Sequence, residues 1–200
     1  MAAGDPLFLE AIQHLQWLFQ EAHRRSADTP DVASLATLDV NGRPSVRSVT
    51  IVAIETEGPA FFFNRNSQKG RHLAENPHAA LCFFWPELDH QVTVEGRAQA
   101  MDTQTADRLW MRRSRDSKLA AWINEMEPPA GEPDTLAARL HEIRCQFAWD
   151  RVPRPASWQG IWLTPDVLDF WHVVWHRPRP REHYCPDENG VWQKQFLQPL

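Results

Sequence analysis

The first half of the chain consists largely of short strand-like segments joined by turn residues, and this pattern limits the fold more than any other feature. The segments SLATLDV and PSVRSVTIVAI flank Asn41-Gly42, a dipeptide typical of tight hairpins. A second turn at Glu57-Gly58 precedes PAFFFN, and residues 86–89 form a turn between AALCFFW and QVTVEGRAQA. The sequence therefore predicts antiparallel strands connected one after another by hairpins.

Helices are predicted on both sides of these strands. Apolar residues recur at helical spacing from residue 6 to about residue 24, followed by the polar break SADTPDVA. Ser67 is placed to cap a short helix that ends at Asn76-Pro77. Further helices are expected over about 102–112, over about 117–124 and from residue 134 onwards.

The tail of the chain returns to strand character in SWQGIWLT, VLDFWHVVW, REHY and VWQKQFL. The expected fold class is therefore mainly β with helices (α+β): a small barrel of six to seven antiparallel strands with flanking helices. Neither an internal repeat nor a convincing linker interrupts the sequence, so a single domain over residues 1–200 is expected.

Composition excludes several classes of function. A formal net charge of -5 does not suggest a nucleic-acid surface, and no apolar run is long enough to span a membrane. The three cysteines form no CxxC pair, so neither a zinc knuckle nor a disulfide framework is indicated, and a cytoplasmic location fits. His172 and His176 lie in a predicted strand and turn where their spacing does not favour a metal site. No GxSxG, P-loop or GxGxxG motif occurs.

Two basic residues are candidates for binding an anion. Arg47 begins a strand otherwise rich in Val, Thr and Ile, so its charge must reach either solvent or an anion. Lys69 follows Ser67 at a predicted helix start, where free N–H groups and the helix dipole favour negative charge. The alternative for these residues is a solvated strand end beside an ordinary capped helix.

The order of the segments RSVTIVAI, FFFNRNSQKGRHLAENPHAALCFFW, HQVTVEG, LDFW and RPRPRE resembles the pyridoxamine 5'-phosphate oxidase family. Members of that family are flavoenzymes that hold FMN between two subunits. The resemblance runs over residues 34–200 and leaves the N-terminal helix and polar break, residues 1–30, outside it. It implies an FMN-binding split β-barrel and a homodimer.

The resemblance also implies an FMN site. Arg47, Lys69 and Gln91 match the FMN contacts of the family motifs RxVxxK, SRK and RQVRxEG, and Gln91 is otherwise an outward polar residue on an edge strand. The family's tyrosine-threonine pair is Phe62-Phe63 here, and its glutamine-serine pair falls on Met126-Glu127. The full set of implied FMN-binding residues is Arg47, Ser48, Val49, Thr50, Ile51, Phe62, Phe63, Gln68, Lys69, Gln91, Trp171 and Arg181.

The implied substrate pocket departs from the family pattern. Arg113, Ser117 and Arg177 keep substrate-binding positions, and Arg177 and Arg179 take the catalytic positions of RLHDR. Val52 replaces a lysine and Leu109 a tyrosine that hold the substrate phosphate, which makes that end of the pocket more apolar. Arg179 and His90 are candidates to compensate.

By resemblance the chain is an FMN-dependent oxidase of pyridoxamine or pyridoxine 5'-phosphate, with hydride transfer to flavin N5 and O2 as the electron acceptor. Two alternatives keep the flavin: an oxidase of another heterocycle, of the phenazine-pathway type, and a non-catalytic flavin-binding protein. The expected partners are a small phosphorylated pyridine or other heterocycle, O2 and a second copy of the chain, with neither nucleic acid nor membrane.

Overall fold

The computed structural model describes residues 4–25, 28–123, 125, 133–148, 151–173 and 179–198. Within them, eight strands form one antiparallel sheet in the order β3-β2-β1-β4-β5-β6-β7-β8. An additional β3–β6 pairing closes the first six strands into a barrel. The strands are β1 (Val32–Leu38), β2 (Pro44–Glu55), β3 (Gly58–Asn64), β4 (His78–Trp85), β5 (His90–Ala100), β6 (Trp158–His172), β7 (Arg181–Pro186) and β8 (Trp192–Leu197). The predicted α+β barrel is confirmed, with a two-strand extension.

Strand β6 connects the barrel to its extension. Residues 158–162 pair with β3, and residues 168–170 pair with β7, while β5 runs beside β6 over almost its whole length. The strand continues through Pro165, where a register shift between Glu95 and Gly96 accommodates the missing N–H. A Cβ on Gly96 would collide with the carbonyl oxygen of Thr164. The two separate segments expected from the sequence are therefore one strand.

Five helices are described: α1 (Pro6–Arg24), α2 (Gln68–Glu75), α3 (Thr103–Trp110), α4 (Arg115–Ile123) and α5 (Pro133–Gln146). A 3-10 turn (Pro86–Leu88) joins β4 to β5. The predicted cap is confirmed, because Ser67 Oγ accepts a hydrogen bond from the Gly70 N–H at 3.3 Å. None of the described helices combines the length and hydropathy needed to cross a bilayer.

The β1–β2 hairpin forms where Asn41-Gly42 predicts it. Gly42 has φ +76°, and the Asp39 carboxylate accepts the N–H groups of Asn41 and Arg43, each at 2.8 Å. Because the Asp39 N–H also bonds to the Arg43 carbonyl, the loop is longer than a two-residue turn. The predicted hairpin is confirmed.

The core is divided by the barrel wall. The interior is filled by fully buried side chains such as Leu35, Phe61 and Phe83, and α1 adds Ile12 and Leu15 to the same cluster. Burying each such side chain stabilises the fold by about 1.5–3 kcal/mol. A second cluster lies on the outer side of β2, β3 and β6, beneath α3 and α4. This packing places the α3–α4 junction beside β2.

A polar cluster attaches α1 to the C-terminal hairpin. The Tyr184 hydroxyl contacts Glu10 at 2.7 Å and Glu182 at 3.2 Å, and Lys194 Nζ bonds to the same two carboxylates at 2.9 and 3.0 Å. Farther along, the Asp5 carboxylate accepts the Trp192 N–H at 3.1 Å. The first and last described elements are therefore joined directly.

The Glu10→Gln variant tests this cluster. Hydrogen bonds from Lys194 and then Tyr184 lower the pKa of Glu10. The interaction therefore stabilises the protein at neutral pH and is lost as the pH falls through the lowered folded-state pKa. Because Glu10 is half-exposed, we expect Glu10→Gln to lower the free energy of unfolding by about 0.5–1 kcal/mol at pH 7. The difference should disappear toward pH 3 in urea titrations, and the exposed-turn control Glu188→Gln should show no difference at either pH.

Candidate functional site

Arg47 directs its charge into one end of the barrel. It lies opposite Leu35 in the β1–β2 ladder, and its Nη1 donates to Thr37 Oγ1 at 2.6 Å and to the Leu35 carbonyl at 3.3 Å. Its Nη2 is buried and has no hydrogen-bond partner among the described residues, and burial lowers the pKa of the guanidinium. An unpaired buried donor is costly, so this atom marks a position suited to an anion.

Lys69 brings a second positive charge to the same place. It stands in the first turn of α2, and its pKa is lowered by burial and then by repulsion from Arg47. The N-terminus of α2 adds its own positive dipole end. A buried hydrogen bond of 3.1 Å between His72 and Thr37 connects α2 to the strand that contacts Arg47. Two cations and a helix N-terminus therefore converge, an arrangement suited to a phosphate dianion.

The pleat of β2 divides the predicted flavin-lining residues. Ser48 and Thr50 are exposed on the outer face, whereas Val49 and Ile51 are buried in the barrel interior. Only the backbone of the latter two is available to a ligand on the outer face. Gln68 is exposed beside Lys69.

The neighbouring pair Phe62-Phe63 is buried. Phe62 packs edge-on against Trp110 with ring centroids 5.4 Å apart. Phe63 lies in the barrel core beside Phe61. Their rings therefore shape the walls that support the site.

A second group of predicted cofactor residues lies on another part of the outer face. Gln91 and Trp171 are directly opposed in the β5–β6 ladder. Arg181 pairs with Asp169 at 3.2 Å, and Asp169 is two residues from Trp171 on the same side of β6. Arg181 Nε, Asp169 Oδ1 and His183 Nδ1 are buried without hydrogen-bond partners within the described structure. This cluster has spare donors and an acceptor for a ligand.

The two groups are separated along the barrel wall. The path from β2 to β6 by way of β1, β4 and β5 crosses four strand spacings, or about 19 Å. The other path, by way of β3, reaches β6 at Trp162, and Trp171 lies nine residues, or about 30 Å, farther along that strand. The structure thus forms two groups: Arg47 with Lys69, and Gln91 and Trp171 with Arg181.

A cavity of about 190 Å³ lies between β2 and the α3–α4 junction. It brings the predicted substrate residues Arg113 and Ser117 together with Thr50 and Val52 of β2. Phe19 and His23 of α1, and Asp31 just before β1, also line the cavity. Thr50 belongs to both the outer face of β2 and the lining of the cavity, so the two regions are continuous at this residue.

Arg113 is held in place by aromatic rings. Its Cζ lies 5.1 Å from the ring centre of Trp110, 5.3 Å from that of Trp158 and 5.9 Å from that of Phe62. Its Nε is buried and unpaired with respect to the described residues, and its Nη2 reaches the Ser117 carbonyl at 3.5 Å. Burial lowers the pKa of Arg113 to about 10, so the group stays charged at neutral pH.

Of the residues that depart from the family pattern, some line the cavity and others do not. Val52 lines the cavity, and it lies at a register shift of β2 that turns its side chain toward the cavity. The expectation that Leu109 makes the pocket apolar is wrong, because its side chain is fully buried beneath α3 beside Ala106 and Trp110. His90 contacts His172 at a ring-centroid distance of 4.7 Å instead of lining this cavity.

Several residues named from the sequence lie outside the described residues or next to a gap in them. Arg177, Met126, Glu127 and His176 lie outside the described residues, and Arg179 is exposed just before β7. Within the described ranges, no three His, Cys, Asp or Glu side chains form a metal-binding group.

Sequence reasoning missed Thr37, Asp169 and Arg112. Thr37 is the acceptor for Arg47, Asp169 pairs with Arg181, and Arg112 lines the cavity. Only Asp169 had a sequence signal, as the acidic residue of LDFW.

Comparisons with known proteins show which family the chain belongs to. A profile of the family described as Pyridoxamine 5'-phosphate oxidase matches residues 19–147. A protein of Xylella fastidiosa (strain Temecula1 / ATCC 700964), named Pyridoxine/pyridoxamine 5'-phosphate oxidase, is 38% identical over 196 residues, covering 96% of this chain and 94% of its own. The chain belongs to the pyridoxamine 5'-phosphate oxidase family. A relative of the same name from Anaeromyxobacter dehalogenans (strain 2CP-C) is 40% identical over 200 residues, covering 99% of this chain and 97% of its own. The resemblance inferred from motif order is confirmed.

Solved structures also share the fold. PhzG from Burkholderia lata 383, in complex with tetrahydrophenazine-1-carboxylic acid, has a TM-score of 0.82 and 27% identity, covering 98% of this chain and 93% of its own. A pyridoxamine 5'-phosphate oxidase-related, FMN binding protein from Nostoc punctiforme PCC 73102 has a TM-score of 0.73 at 18% identity, covering 98% of this chain and 100% of its own. The second likeness shows the fold alone.

The Lys69→Met variant tests the anion position. Removing one of two repelling, half-buried charges should raise the free energy of unfolding in anion-free buffer. Inorganic phosphate at about 100 times its Kd should stabilise the wild type by about 2.7 kcal/mol. It should stabilise the variant much less, as measured by urea titration. The control Arg71→Met removes an exposed charge from the same helix and should keep the phosphate response. An equal phosphate response in Lys69→Met would contradict the assignment.

Proposed function

We propose that this protein is an FMN-dependent oxidase acting on a pyridoxine- or pyridoxamine-type 5'-phosphate. The observation that carries the proposal is the unpaired, buried Nη2 of Arg47 beside Lys69 at the N-terminus of α2. These residues fit the phosphate of FMN, because a dianion satisfies the free donor and relieves the repulsion between the cations. The named function of the 38–40% identical relatives supports the same conclusion.

Chain residues are proposed to hold FMN at both of its ends. Arg47, Lys69 and the α2 N-terminus bind the phosphate, and Ser48 and Thr50 offer hydroxyls along the outer face of β2. Gln91 and Arg181 supply donors for the ring oxygens, and Trp171 provides an aromatic wall. When bound, FMN would supply the redox chemistry, accepting a hydride from the substrate and passing electrons to O2.

The site requires a homodimer in this proposal. Arg47 and Lys69, which bind the FMN phosphate in this proposal, are separated along the barrel wall from Gln91, Trp171 and Arg181, which contact the flavin ring. One FMN is therefore proposed to contact both sets of residues where two chains meet. An isologous interface places Arg47 and Lys69 of each chain against Gln91, Trp171 and Arg181 of the other chain, and this creates two equal sites. Val46 and Phe84, which are 67% and 57% exposed on the outer face, provide apolar surface for such an interface.

The substrate occupies the cavity beside Thr50 in this proposal. Arg113 is a fixed cation within its aromatic surroundings, and Ser117 adds a hydroxyl on the same wall. The rings around Arg113 limit water, which strengthens its interaction with an anionic substrate group. Arg177 and Arg179 are assigned, by family resemblance, to orienting the substrate above the flavin.

A second candidate is an FMN-dependent oxidase of an unphosphorylated heterocycle. Val52 presents a hydrocarbon side chain to the cavity where the family pattern has a lysine. The fold is also similar to that of PhzG, which was solved with a heterocyclic carboxylic acid. Such a substrate would place a single carboxylate, instead of a phosphate, against Arg113.

Anaerobic mixing distinguishes these candidates. FMN-reconstituted, desalted protein mixed with pyridoxamine 5'-phosphate should lose its flavin absorbance within seconds and regain it on admission of air, as for enzymes with typical turnover near 10 per second. Flavin that stays oxidised with this compound but bleaches with a dihydro-heterocyclic carboxylate would favour the second candidate. Flavin that no donor bleaches faster than free FMN would leave a binding protein without turnover.

Subunit mixing tests the composite site. Lys69→Met and Arg181→Met each damage both sites of a homodimer. In a mixed dimer both changes fall in one site and the other site is intact, so random reassociation should restore about a quarter of wild-type FMN binding. The measurement is protein-bound flavin after unfolding and refolding the two variants together. No recovery would mean that both groups serve the same site from one chain.

A further inference from the structure

We infer that Arg112 is a further anion-binding residue of the substrate cavity, and that with Arg113 and Ser117 it selects a phosphorylated substrate. This inference rests on the proposed function and names the substrate class for the same site. Sequence motifs do not assign Arg112, which precedes the expected Arg113 and lies two residues beyond the end of α3. The cavity places both arginines in one wall.

The cavity carries more positive than negative charge. Arg112, Arg113 and two serine hydroxyls come from the α3–α4 junction. Asp31 is the single carboxylate among the residues that line the cavity. Two arginines against one carboxylate favour an anionic ligand group beside the α3–α4 junction.

Arg112 is available to a ligand because its ion pair is weak. Glu55 already receives two hydrogen bonds from Arg108, at 3.1 and 3.0 Å. Arg112 Nη1 stays 3.6 Å from Glu55, beyond a hydrogen bond, and its side chain is 52% exposed. Turning toward the cavity would cost Arg112 little and leave Glu55 paired with Arg108.

The serines add a directed donor. Ser114 caps α4 by accepting the Ser117 N–H at 3.1 Å, and its own hydroxyl donates to Ser117 Oγ at 2.9 Å. Because Ser117 Oγ accepts that bond, its own proton remains free to donate to a ligand in the cavity. Ser114 is thus a positioning residue for Ser117.

This donor set suits a phosphate better than a carboxylate. One arginine satisfies a carboxylate in a bidentate pair, whereas a phosphate dianion carries more charge and three oxygens. Arg112, Arg113 and Ser117 together offer a donor for each oxygen. Arg112 therefore supplies a positive charge from the α3–α4 junction, in place of the lysine that the family pattern has at the position of Val52 on β2.

The test compares Arg112→Ala with Arg108→Ala in the FMN-saturated dimer. Both arginines contact Glu55, but Arg108 does not line the cavity, so it controls for loss of charge near Glu55. One readout is the ratio of kcat/KM for pyridoxamine 5'-phosphate to that for pyridoxamine. The other is binding of inorganic phosphate by calorimetry, which does not depend on turnover.

We expect Arg112→Ala to lower the kcat/KM ratio and to weaken phosphate binding by about tenfold to a hundredfold, the loss typical of a charge-assisted hydrogen bond. Arg108→Ala should lower both values by much less, because Arg112 is still present although Glu55, without Arg108, competes for it. Unchanged values in Arg112→Ala, or equal losses in both variants, would overturn the inference. If the wild type oxidises neither compound, the proposed function fails by itself, and phosphate calorimetry still decides the role of Arg112: weakened binding in the variant supports it, and equal binding overturns it.

Discussion

The β3–β6 pairing is the interaction on which the rest of the structure depends. It closes the barrel, so the interior has no open edge and is filled by apolar side chains such as Leu35 and Phe83. Charged groups are consequently confined to the barrel end, where Arg47 lies, and to the outer wall. The same pairing sets β2, β3 and β6 side by side, and α3 and α4, which border the cavity beside Thr50, pack on the outer side of these three strands.

The candidate site contains several positively charged side chains that are partly or fully buried. Burial lowers the pKa values of Arg47, Lys69 and Arg113, so the folded chain holds these charges at a cost. Only part of the cost is offset inside the chain, by Thr37 for Arg47 and by aromatic rings for Arg113. Ligand anions would offset the remainder, which links stability to occupancy.

The sequence predicted the parts of this molecule that are determined locally. The bounds of α1, the hairpin at Gly42 and the cap at Ser67 follow from helical spacing, turn chemistry and a short polar side chain. The continuity of β6 through Pro165 did not follow, because it depends on Gly96 of a distant segment. Residue chemistry also singled out Arg47 and Lys69, which the structure brings close together, and their binding of an anion stays a prediction. The position of Arg112 at the cavity and the burial of Leu109 depend on how α3 packs on the barrel, which only tertiary structure decides.

The attachment of α1 to the C-terminal hairpin has a consequence for the order of assembly during synthesis. Phe19 and His23 of α1 line the cavity, yet α1 is held by Tyr184, Trp192 and Lys194, which are synthesised more than 150 residues after it. The nascent chain thus carries an early helix whose partners do not yet exist. This part of the cavity is completed only after the C-terminal hairpin has been synthesised, and a chain terminated before that hairpin would expose the apolar side of α1 to chaperones and proteases.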